Sequence, residues 1–467
     1  SRYLLWDITT CENGVETRCG AGLEFGGGSP CIIEDKGRDC TARFDGEAII
    51  HREAGETMRI AMIGPFGLGP KGTMRVRALP LAQALAARGH HVVLVMPPWH
   101  TPDEAGRVWD DEGVTVEYVA LGPRVPLFFH LLTTMRLVRQ ALAHQPDVIH
   151  CFKPKAYAGL AAWLLWRLKR LGLVRARLVV DEDDWEGPGG WNDMEPYSKA
   201  MKAFFAWQER WGLQHQDALT VASRALQTLA WSLGVPPGRV HYMPNGVVRH
   251  DTMDRKPEAR AALGSRVRRQ YGLGSGPVVL LYTRFFEFAP ARAARVWRSI
   301  TQELPAARLL VVGPALFQRD DEEFDRLIRE CGLAESVVRT GWVAQSDLPA
   351  HFAAADVALY PFDDTLVNRC KCAVKLIDLL AAGVPVVADA VGQNCEYVAH
   401  NETGILVQSG DIEAMAAAAV RLLRQQDLRR ALGNKAAARM AARFEWSVLA
   451  DRALAAYGAS SDLCRSE

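Results

Sequence analysis

The chain has no apolar run of the roughly 18 uninterrupted residues that a bilayer span requires. Its most membrane-like stretch, residues 157–174, is broken by Arg167, Lys169 and Arg170, which excludes a spanning helix there. Net charge is also nearly missing, since 55 Lys+Arg against 54 Asp+Glu leave a formal +1. With no zinc-finger spacing, basic-leucine pattern or Lys/Arg-rich tail either, a nucleic-acid polymer is not an expected partner. The opening SRYLLWDITTC lacks the basic start and long apolar run of a secretory signal, so cytoplasmic residence is expected. Disorder is excluded from the other side: 49% of residues are hydrophobic and 23% charged, a balance that buries large cores.

Two segments nevertheless have the makeup of helices that lie on a membrane. Residues 157–174 place Trp163 and Trp166 just before Arg167, Lys169 and Arg170, with Arg175 and Arg177 following, and residues 126–142 mix bulky apolar side chains with Arg136 and Arg139. The same pattern fits helices that cover a sheet and turn their basic residues to solvent. The first alternative makes an anionic membrane surface a partner and places the protein peripherally on the inner face of the cell membrane.

A chain of 467 residues exceeds what one core usually organises, so at least two domains are expected. Residues 1–57 stand apart as an N-terminal extension with no helical period. They hold Cys11, Cys19, Cys31 and Cys40 around GAGLEFGGGSP. A structural zinc or other metal, a pair of disulfides, and free thiols are all compatible with them. The spacings of eight, twelve and nine residues contain no Cys-x-x-Cys knuckle that would decide for a metal. From Met58 onward short apolar strands alternate with helices: MRIAMIG, HHVVLVMP, VTVEYVAL, DVIHCF, RLVVDED and ALTVAS, then GPVVLLYTR, ARLLVVG, SVVRTGWV, ADVALYPF, VPVVADA and GILVQ. Such runs predict parallel sheets covered on both faces. The expected division is a Rossmann-like domain over 58–248, a linker over 249–277, a second Rossmann-like domain over 278–440, and a closing helix and tail over 441–467. Two such domains in series leave a cleft at the carboxyl ends of their strands.

Three segments at strand ends carry candidate chemistry. The first is GPFGLGPKGTMR, in which Gly67, Gly69 and Gly72 let the backbone approach a ligand ahead of a helix, or simply make a turn. It lacks the Gly-Lys-Ser/Thr of a P-loop. The second is DEDDWEGPGGWND, where Asp181, Glu182, Asp183, Asp184 and Glu186 crowd together beside Trp185. These carboxylates can accept sugar hydroxyls, orient an acceptor or bind a divalent cation. HCFKPK adds His150 and Lys153 nearby: the histidine at a strand end is a structural residue or an acceptor or sugar contact, and the lysine can neutralise carboxylates, reach phosphate or contact the acceptor. The third is in the second half: Arg284 and Glu287 follow a strand, and Lys375 and Asp378 lie three apart on one helix face. The arginine fork and a lysine near a helix start suit phosphate, while a carboxylate accepts ribose hydroxyls. Surface ion pairs are the alternative reading of both.

The ordered set MPNGV at 243–247, TGWV at 340–343, DLPAHFAAADVALYPF at 347–362 and KLIDLLAAGVPVVADA at 375–390, with VASRAL at 221–226 and FEW at 444–446, resembles the retaining GT-B glycosyltransferases of family 4, the group that includes sucrose and glycogen synthases. The resemblance runs from Met58 to Tyr457. It implies two facing Rossmann-like domains, the second binding a nucleotide-diphosphate sugar and the first presenting an acceptor, which is a small molecule, lipid, glycan or protein. It further implies transfer with retention of configuration and no essential catalytic metal. Arg284 matches the family's diphosphate arginine, and Asp378 replaces the ribose-holding glutamate. The lysine normally found shortly after the arginine is Phe288 here, so Lys375 supplies the missing charge. The earlier glutamate of the Glu-x7-Glu motif is Cys370, and the usual first-domain histidine is replaced by the acidic run, with Asp183 or Asp184 its counterpart. On this resemblance Asp183, Asp184, Arg284 and Lys375 form the catalytic set, and His150, Lys153, Trp185, Asn245 and Cys370 contact sugar or acceptor. A non-catalytic nucleotide-sugar-binding protein is the main rival, and an oxidoreductase or epimerase using the glycine-rich loop is a weaker one.

Overall fold

The structure is a computed structural model that describes residues 56–459, apart from 70–71, 124, 126–127 and 248–256. The four N-terminal cysteines, and the metal or disulfides expected on them, therefore lie outside the described residues.

The first half is built from β1 (Arg59–Ile63), α1 (Leu79–Ala86), β2 (His91–Met96), β3 (Val108–Asp111), β4 (Val114–Tyr118), α2 (Phe128–Ala143), β5 (Val148–Phe152), α3 (Ala156–Arg170), β6 (Arg177–Glu182), α4 (Trp191–Met194), α5 (Lys199–Gln214), β7 (Ala218–Val221), α6 (Arg224–Ser232) and β8 (Val240–Tyr242). Its strands lie in the order β3-β4-β2-β1-β5-β6-β7-β8. All pairings are parallel except the β3–β4 hairpin. Near-continuous apolar strands are what a sheet buried on both faces demands, and apolar clusters fill the two sides. Strand patterning does not reveal β3 or β8: β3 is an edge strand of half-exposed VWDD, and β8 has only three residues.

The second half comprises α7 (Pro257–Gln270), β9 (Val278–Tyr282), α8 (Pro290–Glu303), β10 (Arg308–Val312), α9 (Gln318–Glu330), β11 (Val337–Arg339), α10 (Leu348–Ala354), β12 (Val357–Tyr360), α11 (Leu366–Cys370), α12 (Val374–Ala381), β13 (Val386–Asp389), α13 (Asn394–Tyr397), β14 (Ile405–Val407), α14 (Ile412–Arg424), α15 (Gln426–Phe444) and α16 (Trp446–Tyr457). The sheet order is β11-β10-β9-β12-β13-β14, parallel throughout. The stretch read as a linker thus contains a helix, α7, in which Val267 joins the core formed with α10 residues Leu348 and Phe352.

Helix α16 belongs spatially to the first half. Trp446, Leu449, Ala450, Ala453 and Tyr457 are buried with α1 and the strands β1 and β2. The chain crosses between halves twice, and the crossings touch: Val247 N–H donates to the Phe444 carbonyl at 2.7 Å. Gly246 sits against Trp446 and the same carbonyl so closely that a Cβ there would come within 2.9 Å of both, which explains glycine in the MPNGV segment. Among the described residues, no helix is long and apolar enough to cross a membrane.

Candidate active site

Strand β6 buries Leu178, Val179 and Val180 and then delivers Asp181 and Glu182, also fully buried, to its carboxyl end. Asp181 is matched by Arg77, whose guanidinium donates to Oδ1 at 2.6 Å and Oδ2 at 2.7 Å, and also to Asn245 Oδ1 and the Met243 carbonyl. Burial alone would lower the guanidinium's pKa, but the Asp181 carboxylate outweighs it and the group stays charged. Arg77 arises from Met74–Ala78, a π-wound stretch just ahead of α1; such distortions re-aim side chains and recur at functional sites.

The rest of the acidic run is held by lysines. Lys153 Nζ lies 3.5 Å from Asp183, 3.4 Å from Asp184 and 3.1 Å from Glu186, and Lys155 Nζ lies 2.6 Å from the other oxygen of Glu186. Lys153 reaches this position with a left-handed φ of 56°, a conformation costly for a side chain with a Cβ and typical of sites the surrounding structure over-determines. Its N–H donates to the Asp181 carbonyl at 2.8 Å, which ties the strained residue to β6. Burial raises the Asp184 carboxyl to about 6, with Lys153 only partly offsetting it and Asp183 and Glu186 adding to the rise. Glu182 goes further: burial and the adjacent Glu209 hold it well above the carboxylate range, and neither of its oxygens has a hydrogen-bond partner. Among the described residues no group of three or more His, Cys, Asp or Glu is arranged to hold a metal ion; ammonium groups occupy the centre of the acid cluster instead.

The glycine-rich loop joins this cluster, since Thr73 Oγ1 donates to Asp183 Oδ2 at 2.8 Å. Gly67 is required by packing, because a Cβ would meet the Tyr118 hydroxyl at 2.8 Å, whereas Gly69 and Gly72 have room for a side chain. The described contacts of Gly67 and Leu68 are with Tyr118 and Arg75 of the first half.

Those residues follow β9. Phe285 takes a left-handed φ of 61° and is buried against Phe288 and Phe324, while its N–H is satisfied by Thr283 Oγ1 at 2.8 Å. Burying Phe285 leaves Arg284 exposed, Phe286 half-buried and Glu287 buried. Glu287 Oε1 accepts from Lys371 Nζ at 2.5 Å and Lys375 Nζ at 3.1 Å. Burial alone would raise this carboxyl, but the two lysines outweigh it and hold it at about 2. Burial lowers Lys375 to about 8, Glu287 offsetting only part of the loss and Lys371 adding to it. Asp378, one turn along α12, is raised by burial to about 7, with Lys375 pulling the other way. One exposed arginine, two lysines sharing a carboxylate and a buried aspartate with no hydrogen bond to its side chain among the described residues can together receive an anion and adjacent hydroxyls.

The two clusters meet. Cys372 Sγ donates to the Asp183 carbonyl at 3.0 Å, Trp191 and Phe286 stack obliquely with ring centres 5.0 Å apart, and Tyr242 donates to Glu396 at 2.6 Å.

Four residues expected to contact sugar or acceptor are placed elsewhere, and each has a packing reason. His150 is mid-strand, paired in register with Met62 and Val179. Both its ring nitrogens are taken, by Tyr457 at 2.9 Å and Thr220 at 3.1 Å, and burial then Arg77 keep it neutral. Trp185 is buried beneath its own loop with its indole N–H on the Pro188 carbonyl at 3.0 Å. Gly187 is there to clear it, since a Cβ would come within 2.3 Å of the indole. Asn245 is buried, its Oδ1 accepting from Arg77 and its backbone carbonyl from the Tyr397 hydroxyl. Cys370 is fully buried in the first half's core, and its carbonyl accepts from Ser223 at 3.1 Å.

Comparison with known proteins agrees with this architecture. Residues 72–246 match the model of the glycosyl transferase 4-like domain, and residues 277–425 match that of glycosyl transferases group 1. A GDP-mannose-dependent alpha-(1-6)-phosphatidylinositol monomannoside mannosyltransferase of Mycobacterium tuberculosis is 30% identical over 377 residues, 79% of this chain and 90% of that one. The chain belongs to the family 4-like GT-B glycosyltransferases. A D-inositol 3-phosphate glycosyltransferase of Stackebrandtia nassauensis is 29% identical, covering 87% of this chain and 91% of that one. Among solved structures, sucrose-phosphate synthase of Thermosynechococcus elongatus shares the fold at a TM-score of 0.63 and 23% identity, covering 86% of this chain and 98% of that one. The glycosyltransferase uses a nucleotide-sugar donor, as the family does.

Several parts of this glycosyltransferase's cleft carry no local signal. Thr73 lies within the glycine-rich loop and Arg77 just after it, and neither carries a motif of its own. Lys371 sits in NRCKC between two cysteines and was legible only as a charge. Trp191, not Trp185, is the tryptophan of the acidic loop that touches the second half.

Proposed function

We propose that the enzyme transfers a hexose from a nucleotide-diphosphate sugar to a hydroxyl of a polyol-bearing acceptor at a membrane surface, with retention of anomeric configuration. The observation that carries the reading is the meeting of two unlike clusters across the cleft: cations from Arg284 and Lys375 beside Asp378 on one side, and Asp183 and Asp184 held by Lys153 on the other. The first cluster stabilises a departing diphosphate, and the second accepts hydroxyl hydrogens of sugar or acceptor. Attack on the same face, with the leaving phosphate taking the proton, fits a cleft whose acidic loop offers lysine-bound carboxylates rather than a free base. GDP-mannose and an inositol lipid are the first substrates to test, because relatives at 27–30% identity carry those names.

The membrane component rests on one face of the first half. Helices α2, α3 and α5 pack side by side there. They expose Phe128, Leu131 and Met135 on α2, Leu171 and Leu173 just past α3, and Met201, Phe204 and Trp207 on α5. Arg139, Arg167, Arg170 and Arg210 are exposed on the same helices. Of the basic residues first considered for this role, Lys169 is instead paired with Asp217 at 2.7 Å, and Arg177 donates to the Ala456 carbonyl.

The test is incubation with GDP-mannose or a UDP-hexose and vesicles containing phosphatidylinositol, following nucleoside diphosphate release and a hexose mass increment on the lipid. Nuclear magnetic resonance of the product reads the anomeric configuration. Donor binding without transfer or hydrolysis across a broad acceptor panel sinks the enzymatic reading and leaves a binding protein.

A further inference from the structure

The sharing of one oxygen of Glu287 by two lysines is more than a structural ion pair needs. Two ammonium groups repel, and the second oxygen of the same carboxylate is buried with no hydrogen-bond partner, so the carboxylate is not optimally satisfied by this arrangement. What the arrangement does achieve is to hold both ammonium groups together beside exposed Arg284. Lys371 is further fixed by Phe286, whose ring centre lies 3.9 Å from Nζ, a cation–π contact that orients the group without neutralising it. Its side chain keeps 13% of its surface open. Glu287 offsets only one of the three cations Lys371, Lys375 and Arg284, so positive charge remains on this side of the cleft to meet a diphosphate.

We infer that Lys371 is a donor-contacting residue that takes the phosphate next to the transferred sugar together with Lys375, and that Glu287 is the positioning residue for both. The inference rests on the donor-site reading given above. It also bears on Phe288: the cation missing from the segment after Arg284 is returned by Lys371 together with Lys375, both held by Glu287. Lys371 stands at the junction of α11 and α12, next to the segment whose Cys372 touches the acidic loop. The same residue is thereby placed where donor and acceptor sides meet.

The experiment compares nucleoside diphosphate with monophosphate, because only the former has the second phosphate. Affinities of GDP, GMP, UDP and UMP are measured by calorimetry for the wild type, Lys371→Met and Lys371→Arg. The wild type is expected to prefer the diphosphate. Lys371→Met should reduce that preference about tenfold, the worth of one charge-assisted hydrogen bond, with monophosphate affinity little changed, and Lys371→Arg should retain most of it. In the unsubstituted protein, diphosphate should slow acetylation of Lys371 by an amine-reactive ester, read by peptide mass spectrometry, and monophosphate should not. That second readout stands even if Lys371→Met does not fold. An undiminished diphosphate preference in a folded Lys371→Met, or unprotected Lys371 in the diphosphate complex, overturns the inference while leaving the donor site standing. Failure of the wild type to bind any nucleoside diphosphate overturns both.

Discussion

Donor affinity should be confined to a narrow pH window, and the reason lies on one turn of α12. Lys375 must be protonated to meet phosphate, and with its pKa lowered to about 8 it is charged below that pH and neutral above it. Asp378 must be ionised to accept two hydroxyl hydrogens, and with its pKa raised to about 7 it is charged above that pH and neutral below it. Affinity for the donor should therefore peak between about 7 and about 8 and fall on both sides. Once Lys375 has lost its proton in the free protein, binding must take one up, so the dissociation constant should rise about tenfold per pH unit until the pKa of the complex is reached. The assay is calorimetry with an intact nucleotide sugar at constant ionic strength. A nucleotide sugar is used because the terminal phosphate of a free diphosphate itself titrates near about 6. Two variants separate the limbs. Asp378→Asn should flatten the acid limb and keep the alkaline one. Glu287→Gln removes the carboxylate that supports the ammonium, so the alkaline limb should move to lower pH. Affinity that is flat from about pH 6 to about pH 9.5 would refute the assignment of Lys375 and Asp378 to the donor.

Arg284→Ala should weaken binding of nucleoside diphosphate and lower turnover, and calorimetry with steady-state rates checks it; unchanged values reject a phosphate role for Arg284. Arg77→Met should destabilise the fold by about 3–5 kcal/mol, because it strands the buried Asp181 carboxylate. Adding Asp181→Asn should recover part of the loss in urea unfolding, and additive effects would show that the pair does not act as a unit. Replacing Phe204 and Trp207 by serine should reduce flotation with anionic vesicles while leaving soluble donor hydrolysis unchanged, and equal flotation would remove α5 from the membrane surface.

Much of the fold was legible because parallel strands buried on both faces leave short, continuous apolar runs rich in β-branched residues, as in VVLLY and RLLVV, with turn residues around them. The elements that escaped are those without such a run: β3, half-exposed at an edge, and the three-residue β8. Legibility at the site followed a different rule. Charged residues at a strand end or in the first turn of a helix, such as Arg284, Lys153 and Lys375, are where local sequence points. Residues whose role depends on a distant partner were misread. His150 looks like a cleft histidine until Tyr457, 307 residues away, is seen to close on it. Trp185 beside acids looks like a sugar platform until Gly187 and Pro188 fold over it.

The strained residues add what motifs could not. Lys153 and Phe285 both have a left-handed backbone, one on each side of the cleft, and each is fixed by a hydrogen bond from its own N–H. In the first case strain turns an ammonium onto three carboxylates. In the second it sinks an aromatic ring and so projects the neighbouring Arg284 outward. Backbone strain persists where surrounding contacts outweigh it, and here both clusters supply those contacts from their own half of the chain. Each cluster therefore takes its own fixing contacts from its own half, and Asp183 with Cys372 and Trp191 with Phe286 are among the contacts that join them. Weakening that contact alone, by Trp191→Ala, should leave nucleotide affinity close to wild type while slowing transfer, a split between binding and turnover that loss of either cluster by itself does not produce.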